Sequence, residues 1–117
     1  MTNPEQLAKA CAHAMWEKDS ASQGMGMAIE TIRPGFAELS MTITEPMING
    51  HQIAHGGCIF TLADSTFAFA CNTYDERTVA QHCSITYIAP AFRANVLTAH
   101  AIEVSRSGRS GIYDVSV

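Results

Sequence analysis

The chain has 117 residues, a net charge of −4 and 47% apolar side chains, a composition that predicts one globular domain over residues 1–117, with part of its stability left to association. Its 7 Lys and Arg are scattered, so there is no basic stripe for a nucleic-acid backbone. Residues 1–23 lack the basic start and unbroken apolar core of a secretory signal, and no segment approaches the roughly 20 apolar residues of a membrane span, which points to the cytoplasm and to no membrane partner.

Asn3, Pro4 and Glu5 form a helix start, with Asn as cap and Pro where a missing N–H does no harm. Leu7, Ala8, Cys11, Ala12, Met15 and Trp16 then recur at helical spacing, predicting a short packing helix that stops before a loop at 20–26. From Met27 the period falls to two. The run to Ile32, the Pro34-Gly35 turn, and the alternation of Ala37, Leu39, Met41 and Ile43 with Glu38, Ser40, Thr42 and Thr44 predict a β-hairpin with one buried face. After Pro46 a loop runs through His55. Residues 56–72 are apolar on nearly every side, which reads as a fully enclosed helix. The β-rich runs 79–89, 96–104 and 112–117, separated by turns at 90–95 and 106–111, complete an antiparallel meander. This order predicts an α+β fold in which one curved sheet wraps a long central apolar helix, preceded by an N-terminal helix.

Polar groups gather around the start of that central helix: Asn49-Gly50-His51, His55-Gly56-Gly57 and, inside the apolar run, Asp64. A carboxylate there is expensive to bury unless water, a partner or a substrate meets it, which marks Asp64 as a catalytic candidate. The alternative is a structural cap or pair near an interface. Cys11, Cys58, Cys71 and Cys83 fall at wide, irregular intervals without a C-x-x-C, so they read as reduced thiols packed as small hydrophobes. His51 and His55 stand four apart, but Gln52 occupies the place where H-E-x-x-H needs its glutamate, so neither a metal nor a cofactor is expected. Gly108-Arg109-Ser110-Gly111 has neither the spacing nor the setting of a G-x-S-x-G elbow, which disfavours a serine hydrolase.

The string N-G-H-x-x-x-H-G-G-x-x-x-x-L-A-D from Asn49 to Asp64, with Tyr113-Asp114 and the Ala12-His13-Ala14-Met15 segment, resembles the phenylacetyl-CoA thioesterase (PaaI) branch of the hotdog-fold acyl-CoA thioesterases. The match extends over nearly the whole chain. It implies a hotdog fold, a homodimer paired through a strand at 79–89, dimers that pair again into tetramers, and active sites between subunits. It implies that the Gly56 N–H binds the thioester oxygen and that Asp64 of the neighbouring protomer acts as general base or nucleophile. Asn49 and His55 would place the water, the acyl group or the loop. One further strand and a short tail, lying beside the pairing strand, follow the position of Val117 in the family. The implied activity is hydrolysis of an aryl-acetyl or hydroxylated phenylacetyl CoA thioester, as in phenylacetate catabolism.

The residue types support these roles on physical grounds. Thioester hydrolysis develops negative charge on the carbonyl oxygen, and a free N–H at a helix start stabilises it through hydrogen bond and dipole together. A partly desolvated Asp64 would be a stronger base than a hydrated one. Simpler readings stand beside these: Asn49-Gly50 as a turn, His55 as a loop holder, and Gly56 and Gly57 as close-approach glycines, the last compatible with catalysis. Gly57, Arg106 and Arg109 form the substrate-binding set, the arginines because guanidinium groups suit the phosphates of coenzyme A. Their alternative is a solvated hairpin tip. Two other functions remain open: a hotdog hydratase or dehydratase using His55 and Asp64 as an acid–base pair, and an acyl-CoA-binding regulator without turnover.

Overall fold

The computed structural model describes residues 3–117. Helix α1 (Pro4–Lys18) begins as the sequence predicts: the Asn3 Oδ1 accepts from the Gln6 N–H at 2.8 Å, and the Asn3 N–H donates back to the Gln6 Oε1 at 3.2 Å. That reciprocal pair satisfies the helix-start donors that water would otherwise hold. Ala8 and Ala12 are buried, and the Trp16 ring lies 6.2 Å from that of Phe69, so α1 packs beside the core as expected. The loop expected at 20–26 instead opens with a short helix, α2 (Ser20–Gly24), because Asp19 caps it by accepting from the Ser22 N–H at 2.9 Å and from its hydroxyl at 2.7 Å.

Strands β1 (Ala28–Arg33) and β2 (Phe36–Thr42) form the hairpin. Gly35 supplies the turn's positive φ of 69°, and a Cβ there would lie 2.8 Å from the Tyr74 hydroxyl, so both backbone and space require glycine. Ala37, Leu39, Met41 and Ile43 are all at most 1% exposed, which confirms the buried face read from their alternation. After a 3₁₀ turn (Glu45–Met47) come α3 (Gly56–Cys71), β3 (Val96–Ser107) and β4 (Ser110–Ser116). The sheet is antiparallel throughout, in the order β1-β2-β3-β4. The turn expected at 106–111 shrinks to Gly108-Arg109, because Arg106 pairs with Gly111 and Ser107 with Ser110.

Helix α3 lies across the sheet. Leu62, Thr66, Phe69 and Ala70 form its buried stripe against Leu39, Ala99 and Ala101, the alanines letting helix and sheet come close. Enclosure on all sides, the expectation from composition, is not what the chain achieves. The sheet covers one face only, and at about 100° per residue Asp64 falls on the side opposite Leu62 and is exposed.

Residues 79–89 read as a strand in the sequence but do not form one in the structure. Among the described residues this segment joins no ladder, and Val79 is 78% and Ile88 93% exposed. Composition supplies β-propensity, but a strand also needs a neighbour's backbone, and none in the chain is paired with it. Among the described residues no helix is long and apolar enough to cross a membrane.

Candidate active site

A helix leaves its first N–H groups without partners, and α3 accounts for most of its own. The Gly57 N–H donates to the His55 Nδ1 at 2.9 Å, while the Cys58 and Ile59 N–H groups both donate to the His55 carbonyl, at 2.9 and 3.4 Å. Among the described residues the Gly56 N–H has no acceptor. His55 is thus the N-cap, and its capping leaves one donor, at the positive end of the helix dipole, for a ligand. His55→Ala is expected to remove about 1 kcal/mol of stability, the usual worth of a side-chain cap. A lower urea midpoint at unchanged slope is the check.

Asn49 holds the loop that leads into this helix. Its Oδ1 accepts from the His51 N–H at 2.9 Å and from the Ile53 N–H at 3.4 Å, and its own N–H donates to the Ile53 carbonyl at 2.8 Å. The turn is tight enough to put Gln52 at φ 66°. So the Asn-Gly turn is real, and the side-chain carbonyl of Asn49 is committed to it. Its amide NH₂ stays available beside Gly56, where Asn49, Gly56, Ile59, Tyr87, Ile88 and Pro90 surround an open pocket of about 370 Å³.

Sequence reasoning gives no sign of Tyr87 at this site. Its hydroxyl donates to the Gly56 carbonyl at 2.9 Å, and its ring would lie 3.0–3.2 Å from a Cβ at position 56. The two residues stand 31 apart in sequence, and a tyrosine within a β-rich run carries no signal that it will lie against a helix start.

The remaining candidates lie elsewhere in the chain. Asp64 takes part in none of the ion pairs among the described residues and is exposed, so the desolvated carboxylate expected from the apolar run is not present in one protomer. It also stands eight residues beyond Gly56 on the same helix, a rise of about 12 Å. One thioester carbonyl cannot be within about 3 Å of both groups of a single chain. Gly57 is exposed, and a Cβ there would meet the His55 ring at 3.1 Å, so its smallness serves the cap and not the pocket wall.

Arg106 stacks over the Tyr74 ring at 3.6 Å, and Arg109 is in the exposed β3–β4 turn. Tyr74 and Tyr113 both donate to the Glu103 Oε1, at 2.7 and 3.3 Å. Burial and the neighbouring carboxylate push both phenols above their usual range, Tyr113 far above it. Tyr74 follows the C-terminal end of α3, so the Arg106 cluster lies at the opposite end of that 16-residue helix from Gly56, a span of about 24 Å. The structure therefore gathers Asn49, His55, Gly56 and Tyr87 at one end. Asp64 and the arginines are left away from them.

A four-stranded antiparallel sheet packed on one long central helix, preceded by an N-terminal helix, is the hotdog architecture. Residues 51–117 match the family model described as the thioesterase superfamily. The chain is 42% identical over 106 residues to the acyl-coenzyme A thioesterase PaaI of Escherichia coli K12, covering 91% of this chain and 76% of that protein. The solved structure of the E. coli PaaI protein from the phenylacetic acid degradation operon superimposes with a TM-score of 0.95 at 40% identity, over 97% of this chain and 82% of that one. A mutant phenylacetic acid degradation protein PaaI from Thermus thermophilus gives 0.78 at 33%, over 80% and 81%. A hypothetical thioesterase protein from Streptococcus pneumoniae, solved with coenzyme A, gives 0.73 at 26%, over 77% and 73%. The chain belongs to the thioesterase superfamily, on the PaaI-like branch, and is a thioester hydrolase by class.

Proposed function

We propose that this chain hydrolyses aryl-acetyl thioesters of coenzyme A, phenylacetyl or hydroxylated phenylacetyl, to the free acid and coenzyme A. The observation that carries the reading is the Gly56 N–H, which has no acceptor among the described residues, beside an open pocket with apolar and aromatic walls. In this reading the thioester carbonyl oxygen accepts from that N–H. Asp64 of a second protomer takes a proton from water as the water oxygen bonds to the carbonyl carbon. The electron pair displaced onto the oxygen then returns, the carbon–sulfur bond breaks, and the coenzyme A thiolate takes up the proton. Removing one donor of the oxyanion-hole kind typically costs about 3 kcal/mol of transition-state stabilisation, enough to make Gly56 central.

The separation between Gly56 and Asp64 along α3 supports a shared site, and the exposed apolar side chains of 79–89 support pairing of that segment with a second copy, with dimers pairing again. Arg106 and Arg109 are proposed to contact the coenzyme A phosphates from the Asp64 end of such a site. The Asn49 amide and the His55 cap hold the Gly56 end. The hydratase alternative asks His55 to exchange protons, whereas its Nδ1 is already engaged in capping α3.

Thiol release from a panel of acyl-CoA esters tests the assignment. Aryl-acetyl esters are expected to show the highest kcat/KM, with KM rising as salt screens the arginine contacts. A preference for linear acyl chains would contradict the aryl reading, no thiol release from any ester would contradict hydrolysis, and a salt-independent KM would return the arginines to a hairpin tip.

A further inference from the structure

We infer that Tyr87 is a positioning residue for this reaction: it fixes the Gly56 peptide at the head of α3 so that the neighbouring N–H keeps one orientation. The inference rests on the proposed role of Gly56 as oxyanion donor and adds a residue to it.

Two contacts made by the same side chain support it. The Tyr87 hydroxyl donates to the Gly56 carbonyl at 2.9 Å, a lone pair not required by the helix ladder. The same ring would lie 3.0 Å from a Cβ at position 56, at its Cζ, and 3.1–3.2 Å at the hydroxyl oxygen and Cε1. Glycine is the residue with the most conformational freedom, and it lies here at the first position of a helix, where fraying begins. One contact restrains the Gly56–Gly57 peptide through its carbonyl, one Cα away from the Gly56 N–H, and the other closes the space on the side-chain side of that Cα. Tyr87 also forms part of the pocket wall with Ile88, so a substrate seated there touches the group that holds its oxyanion donor. The 79–89 segment, which joins no ladder among the described residues, is thereby tied to the Gly56 end of α3 through the Tyr87 side chain.

An oxyanion donor acts by being already in place as charge develops, so a loosened Gly56 should weaken transition-state binding more than ground-state binding. Tyr87→Phe keeps the ring and removes the hydroxyl. For a hydrogen bond of ordinary net worth, kcat should fall about fivefold. KM should move by less than about twofold, since uniform binding is untouched. The Gly56 amide resonance should shift in a ¹⁵N–¹H spectrum, which reads the peptide without reference to turnover. A second arm tests the ring: Gly56→Ala should lose less kcat in a Tyr87→Ala background than in the wild type, because the obstructing ring is gone.

A Tyr87→Phe protein that folds and assembles normally with wild-type kcat would overturn the inference, as would an unmoved Gly56 resonance. A purely structural tyrosine would lower the melting temperature and leave kcat per folded enzyme unchanged, which also overturns it. The parent reading fails separately, when the wild-type enzyme releases no thiol from any acyl-CoA.

Discussion

Asp64→Asn is expected to lower thiol release by about 10²- to 10⁴-fold, the range for losing a positioned general base. The change keeps the side chain's volume and removes its capacity to take a proton. Asp64 is exposed on α3 and belongs to no ion pair among the described residues. A surface substitution of that kind usually moves stability by no more than about 0.5 kcal/mol. The expected signature is therefore a large loss in kcat with an almost unchanged unfolding midpoint and retained binding of a non-hydrolysable acyl-CoA. Near-normal turnover by a homogeneous Asp64→Asn sample would remove Asp64 from the mechanism.

The sequence spoke most clearly where a local rule had one solution. Asn3-Pro4 could only start a helix, and the period-two run from Ala37 to Ile43 could only bury one face, and both are found as read. The central helix was legible in its bounds but not in its surroundings. Its residues read as apolar on nearly every side, yet within one chain the helix is covered only in part: Leu62, Ala63, Thr66, Phe69, Ala70 and Cys71 are buried, while Gly57 and Asp64 are exposed. Apolar composition states that a face should be buried and does not say by which molecule. The same distinction explains 79–89, whose composition suits a strand but which joins no ladder among the described residues.

The site was legible in part for a related reason. Asn49, His55 and Gly56 lie within one loop and helix start, so their neighbourhood follows from spacing, and the structure brings them together. The role of His55 as N-cap was harder to read, because histidine is not among the preferred caps. Tyr87 reaches Gly56 only through tertiary folding, and nothing in local pattern encodes that contact. Arg106, read as a phosphate-binding residue in the 106–111 turn, belongs to β3 and stacks on Tyr74, a partner that sequence distance also concealed.

We propose that each active site takes Gly56 and Asn49 from one protomer and Asp64 from another, since about 12 Å of helix separates Gly56 from Asp64 within a chain. Mixing two inactive variants, Asp64→Asn and Asn49→Ala, tests it directly. In a hybrid dimer one site combines an intact Asn49–Gly56 end with an intact Asp64, while the other site carries both lesions. Random reassortment of equal amounts makes half the dimers hybrids and restores about a quarter of wild-type sites. The measurement is thiol release after subunit exchange, with hybrids counted by mass spectrometry and a wild-type sample taken through the same exchange. Recovery near one quarter is the predicted result; hybrids verified in the expected number that stay as inactive as their parents, beside a wild-type control that keeps its activity, would contradict the shared site.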